Sequence, residues 1–213
     1  NYWYRVKAVN GPESSAYSNT ASAMTQSATP TGYRGAVLAD NPVSFWRLGE
    51  SSGTTAADER GTNPGSYVNS PTLGAASLLT SDTANKAVSF DGVNDQVKVA
   101  SSASLNLTGS FSLEAWIKPT SIPAAGQFAS ILTKAESYSL QFNGPRLEFT
   151  IIQNGTRKRL QAPVNAVLAG QTYHVVATYD GATQRLYLNG NEVASAALSG
   201  GASSTANALY LGS

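Results

Sequence analysis

The sequence predicts an all-β protein built as an antiparallel sandwich or a barrel. Short segments that alternate between apolar and polar residues recur along the chain, and turns rich in Gly, Asn and Asp separate them. No segment has a convincing 3.6-residue period, which disfavours long amphipathic helices. With 213 residues, the chain is long enough for one good-sized core, or for one domain and part of another.

The chain opens with two predicted strands. Residues 2–9 (YWYRVKAV) alternate like a half-buried strand, Asn10-Gly11-Pro12 breaks it, and residues 16–23 can form the return strand. This stretch resembles the last two strands of a fibronectin type III domain, in which a Tyr-x-Tyr-x-Val-x-Ala pattern ends in Asn and a turn. The resemblance implies that residues 1–25 are an incomplete, two-strand piece of an immunoglobulin-like sandwich. Tyr2 would then be the corner tyrosine whose hydroxyl ties down a loop.

A linker is predicted over residues 26–36. The segment QSATPTGYRGA is rich in Ser, Thr, Pro and Gly, which is typical of a connection between domains. The main domain is therefore expected over residues 37–213. A single short turn of helix is expected at VLAD (37–40).

The predicted strands of the main domain are short and follow one another closely. They span residues 43–48, 86–90, 95–100, 110–119, 129–134, 138–142, 146–152, 158–163, 173–180, 184–190, 191–198 and 208–212. Turn-forming pairs such as Asp180-Gly181 and Asn189-Gly190 separate them. The strands at 110–119 and 173–180 carry large residues on both faces and are expected in the middle of a sandwich.

Five segments, in this order, resemble the concanavalin A-like jelly roll in its laminin G-like branch. They are YRGAVLADNPVSFWRLGE, GTTAADERGTNPGSY, AVSFDGVNDQVKV, SLNLTGSFSLEAWIKP and YHVVATYDGATQRLYLNGNEVASA. The resemblance implies a two-sheet antiparallel jelly-roll sandwich over residues 37–213. The family usually closes with a strand containing Gly-x-Ile-Asp-Glu-Val, whereas this chain stops at LYLGS. We therefore expect a bare sheet edge near residues 43–48, or a strand supplied by a partner.

Composition disfavours several classes of partner. The net charge is +1 and only 13% of residues are charged, so no nucleic-acid partner is expected. The basic run Arg157-Lys158-Arg159 is read as a solvated hairpin end, with a small anion patch as the alternative. No window approaches about 18 apolar residues, so no membrane insertion is expected. The chain has no cysteine, which excludes disulfides and thiolate metal sites.

Calcium is the one cofactor that the sequence suggests. Two loops, DERGTN (58–63) and DGVND (91–95), offer the oxygen ligands that calcium prefers. By resemblance to laminin G-like domains, the expected ligands are Asp58, Asn63, Asp91 and Asp95. The alternative is that these residues only form turns, which Asp and Asn do well.

A sugar site needs aromatic faces for stacking and polar groups for the hydroxyls. The aromatic candidates on or near loops are Tyr67, Tyr138 and Phe128, with Tyr33 as a further one, and each has an ordinary core or surface position as its alternative. Trp46 and Trp116 lie in alternating strands and are expected in the core.

Catalysis is not expected. Sugar-cleaving enzymes need two carboxylates that flank the scissile bond, but Glu114 and Glu148 each stand alone on their strands. His174 is the single histidine, so a triad or a histidine-based zinc site would depend on it alone.

The sequence therefore favours a non-catalytic, extracellular or cell-surface module that binds carbohydrate or another surface ligand within a larger protein. Two alternatives stay open. The first is a structural or adhesive assembly protein that shares strands between chains. The second is an accessory domain of a secreted glycan-active enzyme.

Overall fold

The computed structural model describes residues 2–4, 9–10, 13–14, 21–23 and 32–212. The chain divides into two units, Asn1–Asn41 and Pro42–Ser213. In the first unit, β1 (Tyr2–Tyr4) pairs antiparallel with β4 (Ala21–Ala23), and β2 (Val9–Asn10) pairs with β3 (Glu13–Ser14). The predicted role of Tyr2 concerns a side chain that lies outside the described residues.

A short helix, α1, closes the first unit over Tyr33–Ala39. It begins after Gly32, whose positive φ of 86° suits a residue without a side chain. Residues 33–36 of the predicted linker are therefore helical, and the helix starts four residues before the expected turn at 37–40. No helix among the described residues is long and apolar enough to cross a membrane.

The second unit is an antiparallel sandwich, as predicted. One sheet has eight strands in the order β14-β13-β12-β11-β18-β9-β6-β5. In chain order these strands are β5 (Thr55–Ala56), β6 (Gly65–Val68), β9 (Gln96–Val99), β11 (Phe128–Lys134), β12 (Tyr138–Asn143), β13 (Arg146–Gln153), β14 (Thr156–Gln161) and β18 (Leu209–Leu211).

The other sheet has four strands in the order β10-β15-β16-β17. They span Phe111–Ile117, Tyr173–Tyr179, Thr183–Leu188 and Asn191–Ala197. A separate hairpin joins β7 (Thr72–Ala76) and β8 (Lys86–Ser89), and one 3-10 turn spans Ala103–Leu105. Within the described residues β10 lies at an edge of its sheet, not in the middle as expected from its apolar character.

The core lies between the two sheets and follows from period-2 alternation. Leu140 and Phe149 of the large sheet and Phe111, Val175 and Leu186 of the small sheet are all buried in one cluster. The Phe111 ring lies 5.9 Å from the Phe149 ring in an edge-on arrangement, a favourable geometry for aromatic pairs.

A β-bulge interrupts β11. Ser130 pairs with Gln141 and Leu132 with Leu140, so β11 has two residues where β12 has one. Paired residues share a face of a sheet, and the partners of Leu132 lie in the core. Phe128 and Ser130, on the other side of the bulge, therefore share the outer face with Asn143 and Gln141.

The segment 43–48 was predicted to be a strand, and this is wrong. Its backbone makes one isolated bridge, between Trp46 and Asp58. The Phe45 N–H bonds to the Asp58 carboxylate instead of a strand, and Leu48 has a positive φ of 54°. The local sequence alternates like a strand, but the loop beside it supplies the hydrogen-bond partners. The short strands β5, β6 and β7 were not predicted.

Candidate functional site

The outer face of the eight-stranded sheet carries the most organised polar surface among the described residues. One row of paired residues crosses four strands from Gln161 through Glu148 and Gln141 to Ser130. A neighbouring row runs from Arg159 through Thr150, Ser139 and Thr133 to Tyr210. Polar side chains on the solvent face of an antiparallel sheet are the usual pattern, but this face contains a fully buried acid.

Glu148 is that acid, with no exposed side-chain surface. Three amide side chains surround it: the nitrogens of Gln141, Asn143 and Gln161 lie 3.0, 2.9 and 2.7 Å from its carboxylate oxygens. We call Gln141, Asn143, Glu148 and Gln161 the amide cluster. The hydrogen bonds repay the cost of burying the carboxylate because each of its oxygens accepts two.

Two further residues complete the surroundings of Glu148. The Thr150 hydroxyl donates a hydrogen bond of 3.1 Å to Oε1, the same oxygen that accepts from Gln141. The Arg159 Nε lies 3.9 Å from Oε1, with nearly half of the arginine side chain exposed. Arg159 thus places a positive charge between the buried carboxylate and solvent.

Phe128 lies beside the amide cluster. It pairs with Asn143 across β11 and β12, and 57% of its surface is exposed. The ring therefore offers an apolar face to a ligand on this side of the sheet. The predicted aromatic candidate thus shares a face with three amides whose positions are fixed.

Local sequence explains why these side chains meet. In YSLQFN and RLEFTI the polar residues alternate with core residues, and in TRKRLQ the last residue, Gln161, follows the core residue Leu160. Five polar side chains therefore point away from the core: Gln141, Asn143, Glu148, Thr150 and Gln161. Two tight hairpins then set the register that places Glu148 directly between Gln141 and Gln161.

The first loop of the predicted calcium site is organised differently. Asp58, only 7% exposed, accepts four backbone N–H bonds, from Phe45, Arg60, Thr62 and Asn63. Burial by itself would raise the pKa of Asp58, but these hydrogen bonds lower it, and the pKa lies below its ordinary value. The carboxylate therefore fixes the course of the loop.

Asn63 is equally occupied. Its side-chain nitrogen donates to Ser44 and Ser104, and its side-chain oxygen accepts from the hydroxyl of Ser102 at 2.6 Å. Its backbone carbonyl accepts from the Trp46 indole N–H. Asp58 and Asn63 thus organise their own loop through the oxygens that a calcium ion would bind, and their role as calcium ligands stays a prediction.

The second predicted calcium loop is a compact turn. One oxygen of Asp91 accepts from the backbone N–H groups of Val93, Asn94 and Asp95, which lowers the pKa of Asp91. The buried Asp95 accepts from the backbone N–H of Asp91. Within the described part of the chain, no three acidic or histidine side chains come together to hold a metal ion.

Two of the predicted sugar contacts lie on the core side. Tyr138 is 1% exposed, and its hydroxyl donates to the Leu105 carbonyl, so its ring has no face to offer a sugar and that prediction is wrong. Burial also raises the pKa of Tyr138. Tyr67 packs against the core, and its hydroxyl donates to Glu50 at 2.7 Å. Burial and this carboxylate raise the pKa of Tyr67.

The outer face of the four-stranded sheet holds the residues considered for catalysis. His174 Nε2 lies 2.9 Å from a Glu114 oxygen, and the imidazole stacks on the Trp116 ring at 4.9 Å. Trp116 is therefore half-buried on the outer face and does not lie in the core as expected. Trp46 is also half-buried, but it packs against the core.

A polar cleft of about 390 Å³ lies elsewhere in the second unit, lined by Arg47, Glu50, Glu59, Asp82 and Lys86 among others. Arg47 lies 3.5 Å from Glu59 and 3.6 Å from Asp82, and it bonds to Asn85 at 2.8 Å. The charges in this cleft thus stabilise one another, which favours a structural role.

Sequence reasoning missed the amide cluster because it treated Glu148 as isolated. The signal was nonetheless in the sequence: polar residues occupy the non-core positions of three consecutive strands joined by short turns. Aligning these strands as hairpins would have placed Glu148 between the amides.

The chain matches the profile of the Concanavalin A-like lectin/glucanases superfamily over residues 91–213, more than half its length. No curated protein matches the chain.

Solved structures share the fold at low sequence identity. A mutant of HCR/D is 12% identical with a TM-score of 0.59, and the match covers 78% of this chain and 44% of that one. Botulinum neurotoxin type C, which depends on two ganglioside molecules to enter cells, is 12% identical with a TM-score of 0.53, over 78% and 43%. This chain therefore matches less than half of each. Domain 4 of the extracellular arabinanase AbnA from Geobacillus stearothermophilus, solved with arabinotriose, is 17% identical with a TM-score of 0.51, over 72% and 75%.

Proposed function

The chain belongs to the concanavalin A-like lectin/glucanases superfamily, and on that premise we propose that it is a non-catalytic glycan-binding module of a secreted or cell-surface protein. The ligand site is the outer face of the eight-stranded sheet around Phe128 and the amide cluster. A neighbouring fibronectin type III domain, expected from residues 1–25, fits the same multidomain setting.

One observation carries this assignment: an exposed aromatic ring lies next to amides that are already fixed in place. Sugars present apolar C–H faces and polar hydroxyls, so their sites combine a ring for stacking with a few positioned polar groups. Phe128 supplies the ring, and Asn143 and Gln141 supply the polar groups. Because Glu148 holds these amides before any ligand arrives, binding costs less side-chain entropy.

The relatives support the proposal by analogy. Domain 4 of AbnA was solved with arabinotriose, and botulinum neurotoxin type C interacts with gangliosides. An accessory domain of a glycan-active enzyme, as AbnA exemplifies, is compatible with the same binding role. The fold does not by itself name the ligand.

The test is a glycan array that includes arabinan, xylan, cellulose and sialylated oligosaccharides, read with the wild-type chain and with Phe128→Ala. We expect wild type to bind a defined set of glycans and Phe128→Ala to bind them at least about 10-fold more weakly, the loss expected for one stacked ring. Leu168→Ala, which removes another exposed apolar side chain from a loop that carries no predicted site residue, should bind like wild type. An array that is blank for wild type would overturn the proposal.

Calcium dependence is tested on the same array, with and without EDTA. Asp58, Asn63, Asp91 and Asp95 are the predicted ligands, and Asp91 is the exposed one among them. Binding that EDTA abolishes would require calcium in the site, and Asp91→Asn should then lose binding as well. Binding unchanged by EDTA would place recognition on the sheet face alone.

Assembly by strand sharing is the second candidate function, and β10 favours it. This seven-residue strand pairs with β15 along one edge and, within residues 32–212, forms the edge of its sheet. Apolar edge strands are templates for pairing with another chain. Light scattering across a range of concentrations should reveal oligomers, and Ser112→Lys, which places a charge at an exposed position of this edge strand, should dissolve them. A concentration-independent monomer would eliminate this candidate.

A further inference from the structure

Hydrogen-bond chemistry fixes which way the three amides of the cluster are turned. A carboxylate only accepts hydrogen bonds, whereas a side-chain amide donates through nitrogen and accepts through oxygen. Gln141, Asn143 and Gln161 can therefore bond to Glu148 only through their NH2 groups, at 3.0, 2.9 and 2.7 Å. The orientation of each amide group therefore follows from the chemistry of its partner, which accepts hydrogen bonds and cannot donate them.

The oxygen of each amide consequently lies at the far end of the group from Glu148. All three residues are half-buried, so part of each side chain reaches solvent, while Glu148 itself is fully covered. Three amides that would otherwise turn freely are thus held with the same end inward. The end of each amide that is not bonded to Glu148 is therefore its carbonyl oxygen.

We infer that Glu148 is a positioning residue that turns the oxygens of Gln141, Asn143 and Gln161 towards the ligand, which makes this face selective for neutral, hydroxyl-rich glycans. This inference rests on the proposed function and adds the chemistry of the ligand. Carbonyl oxygens accept hydrogen bonds from sugar hydroxyls, and they discourage groups that only accept, such as carboxylates and sulfates.

Arg159 is the positive charge next to the amide cluster, and it would attract acidic glycans if Glu148 did not balance it. Its guanidinium lies 3.9 Å from Glu148, so much of its charge is balanced by the buried carboxylate. Removing the carboxylate would release both the amides and this charge. Loss of Glu148 should therefore move the preference of the face from neutral towards acidic glycans, a change of specificity that a simple loss of folding would not produce.

The orientation is tested first, in the free protein, by NMR of the side-chain amide groups. In wild type, the NH2 protons of Gln141, Asn143 and Gln161 should exchange with solvent much more slowly than those of the exposed Gln171. In Glu148→Gln, where the carboxylate is replaced by a group that also donates, their resonances should move and their exchange should accelerate. Glu136→Gln, which neutralises an exposed glutamate 3.9 Å from Arg157, is the matched control and should leave them unchanged.

Selectivity is tested second, with arabinotriose, xylotriose and cellotriose as neutral probes and trigalacturonic acid and sialyllactose as acidic ones. We expect wild type to favour a neutral probe over both acidic probes. Glu148→Gln should bind that neutral probe at least about 10-fold more weakly, the effect of one or two lost charge-assisted hydrogen bonds. The ratio of neutral to acidic affinity should fall in Glu148→Gln and stay constant in Glu136→Gln.

The outcomes separate the two proposals. Wild type that binds none of the probes removes the glycan function, while the NMR experiment still decides whether Glu148 orients the amides. If wild type binds a probe and a folded Glu148→Gln variant binds it with the same affinity and selectivity, the positioning role alone is overturned. If Glu148→Gln does not fold, the NMR measurement on wild type tests the inference. Side-chain amide protons of Gln141, Asn143 and Gln161 that exchange as fast as those of Gln171 would overturn it.

Discussion

Two buried carboxylates in the second unit each accept four hydrogen bonds, but from opposite kinds of donor. Asp58 accepts only from backbone N–H groups, across a loop of the chain that starts at Phe45 and ends at Asn63. Glu148 accepts only from side chains, on three adjacent strands. Asp58 therefore fixes the course of the backbone, whereas Glu148 fixes the orientation of side chains on the surface of the sheet.

The comparison shows that burial of an acid does not by itself indicate a binding site. Both residues lie below a tenth of full exposure. The two acids differ in their donors: the donors to Asp58 are backbone N–H groups, whereas the donors to Glu148 are side chains. Applied to the predicted calcium ligands, this criterion gives Asp58 a structural role in its loop, whereas the side chain of Asn63 bonds to three serine side chains.

The largest expected effect that would test the comparison is a loss of stability in Asp58→Ala. The substitution leaves four backbone N–H groups without their acceptor, so we expect about 3 kcal/mol or more off the free energy of unfolding in urea. Asp91→Ala removes a carboxylate with similar backbone partners from an exposed turn, where water replaces it, and should cost far less. Equal losses in the two variants would mean that burial does not matter at Asp58.

A pH series sharpens the same point. The pKa of Asp58 is lower in the folded protein than in the unfolded chain, so the folded state is favoured above the unfolded value of about 3.9. This contribution should vanish as the pH falls through the lower, folded-state pKa. Melting temperatures of wild type should therefore fall between about pH 5 and pH 2. Asp58→Asn should show a shallower fall, and identical slopes would contradict the assignment.

A smaller effect is expected at Tyr138, which lies on the core side of the strand that carries Gln141 and Asn143. Tyr138→Phe removes the hydrogen bond to the Leu105 carbonyl and should cost about 1 kcal/mol of stability. Glycan affinity should not change, because the ring is buried on the opposite side of the sheet. A clear loss of affinity with preserved stability would show that the two faces are coupled.

The smallest effect is expected at the exposed counterpart of these acids, Asp180. A hydrogen bond from Arg185, together with backbone bonds from Ala182 and Thr183, lowers the pKa of Asp180 to about 2. In Arg185→Gln this pKa should rise towards its ordinary value of 3.8, which carboxylate NMR resonances would report, while stability changes little. An unchanged pKa would mean that the two backbone bonds suffice.

Strands with strict alternation were predicted well from sequence because period-2 burial is a local property. Phe111–Ile117 and Tyr173–Tyr179 each end within two residues of the predicted bounds. The segment 43–48 alternates equally well, yet its hydrogen bonds go to a distant loop that no local pattern reveals. Strands as short as Thr55–Ala56 leave too few residues for alternation to be seen.

The candidate site was predicted only in part. Phe128 was predicted as an aromatic candidate because it lies on or near a loop, and the structure places it on the surface. Tyr138 looked the same in sequence, and only the pairing of β12 with its neighbours shows that it faces inward. The role of Glu148 depends on its hydrogen bonds with Gln141 and Gln161, which lie seven and thirteen residues away in the chain. Considering each residue by itself could therefore not predict the amide cluster.

The bulge in β11 has a consequence for how this fold can change over time. The extra residue allows Phe128 and Leu132, four positions apart in the chain, to lie on opposite faces of the sheet. Deleting Ile131 would make the strand regular and leave Phe128 outside. Deleting Ala129 instead would move Phe128 into the register of Phe142 and turn the ring inwards. Lineages of this domain could therefore gain or lose a stacking platform through a single codon, depending on whether that codon lies at the bulge or beside it.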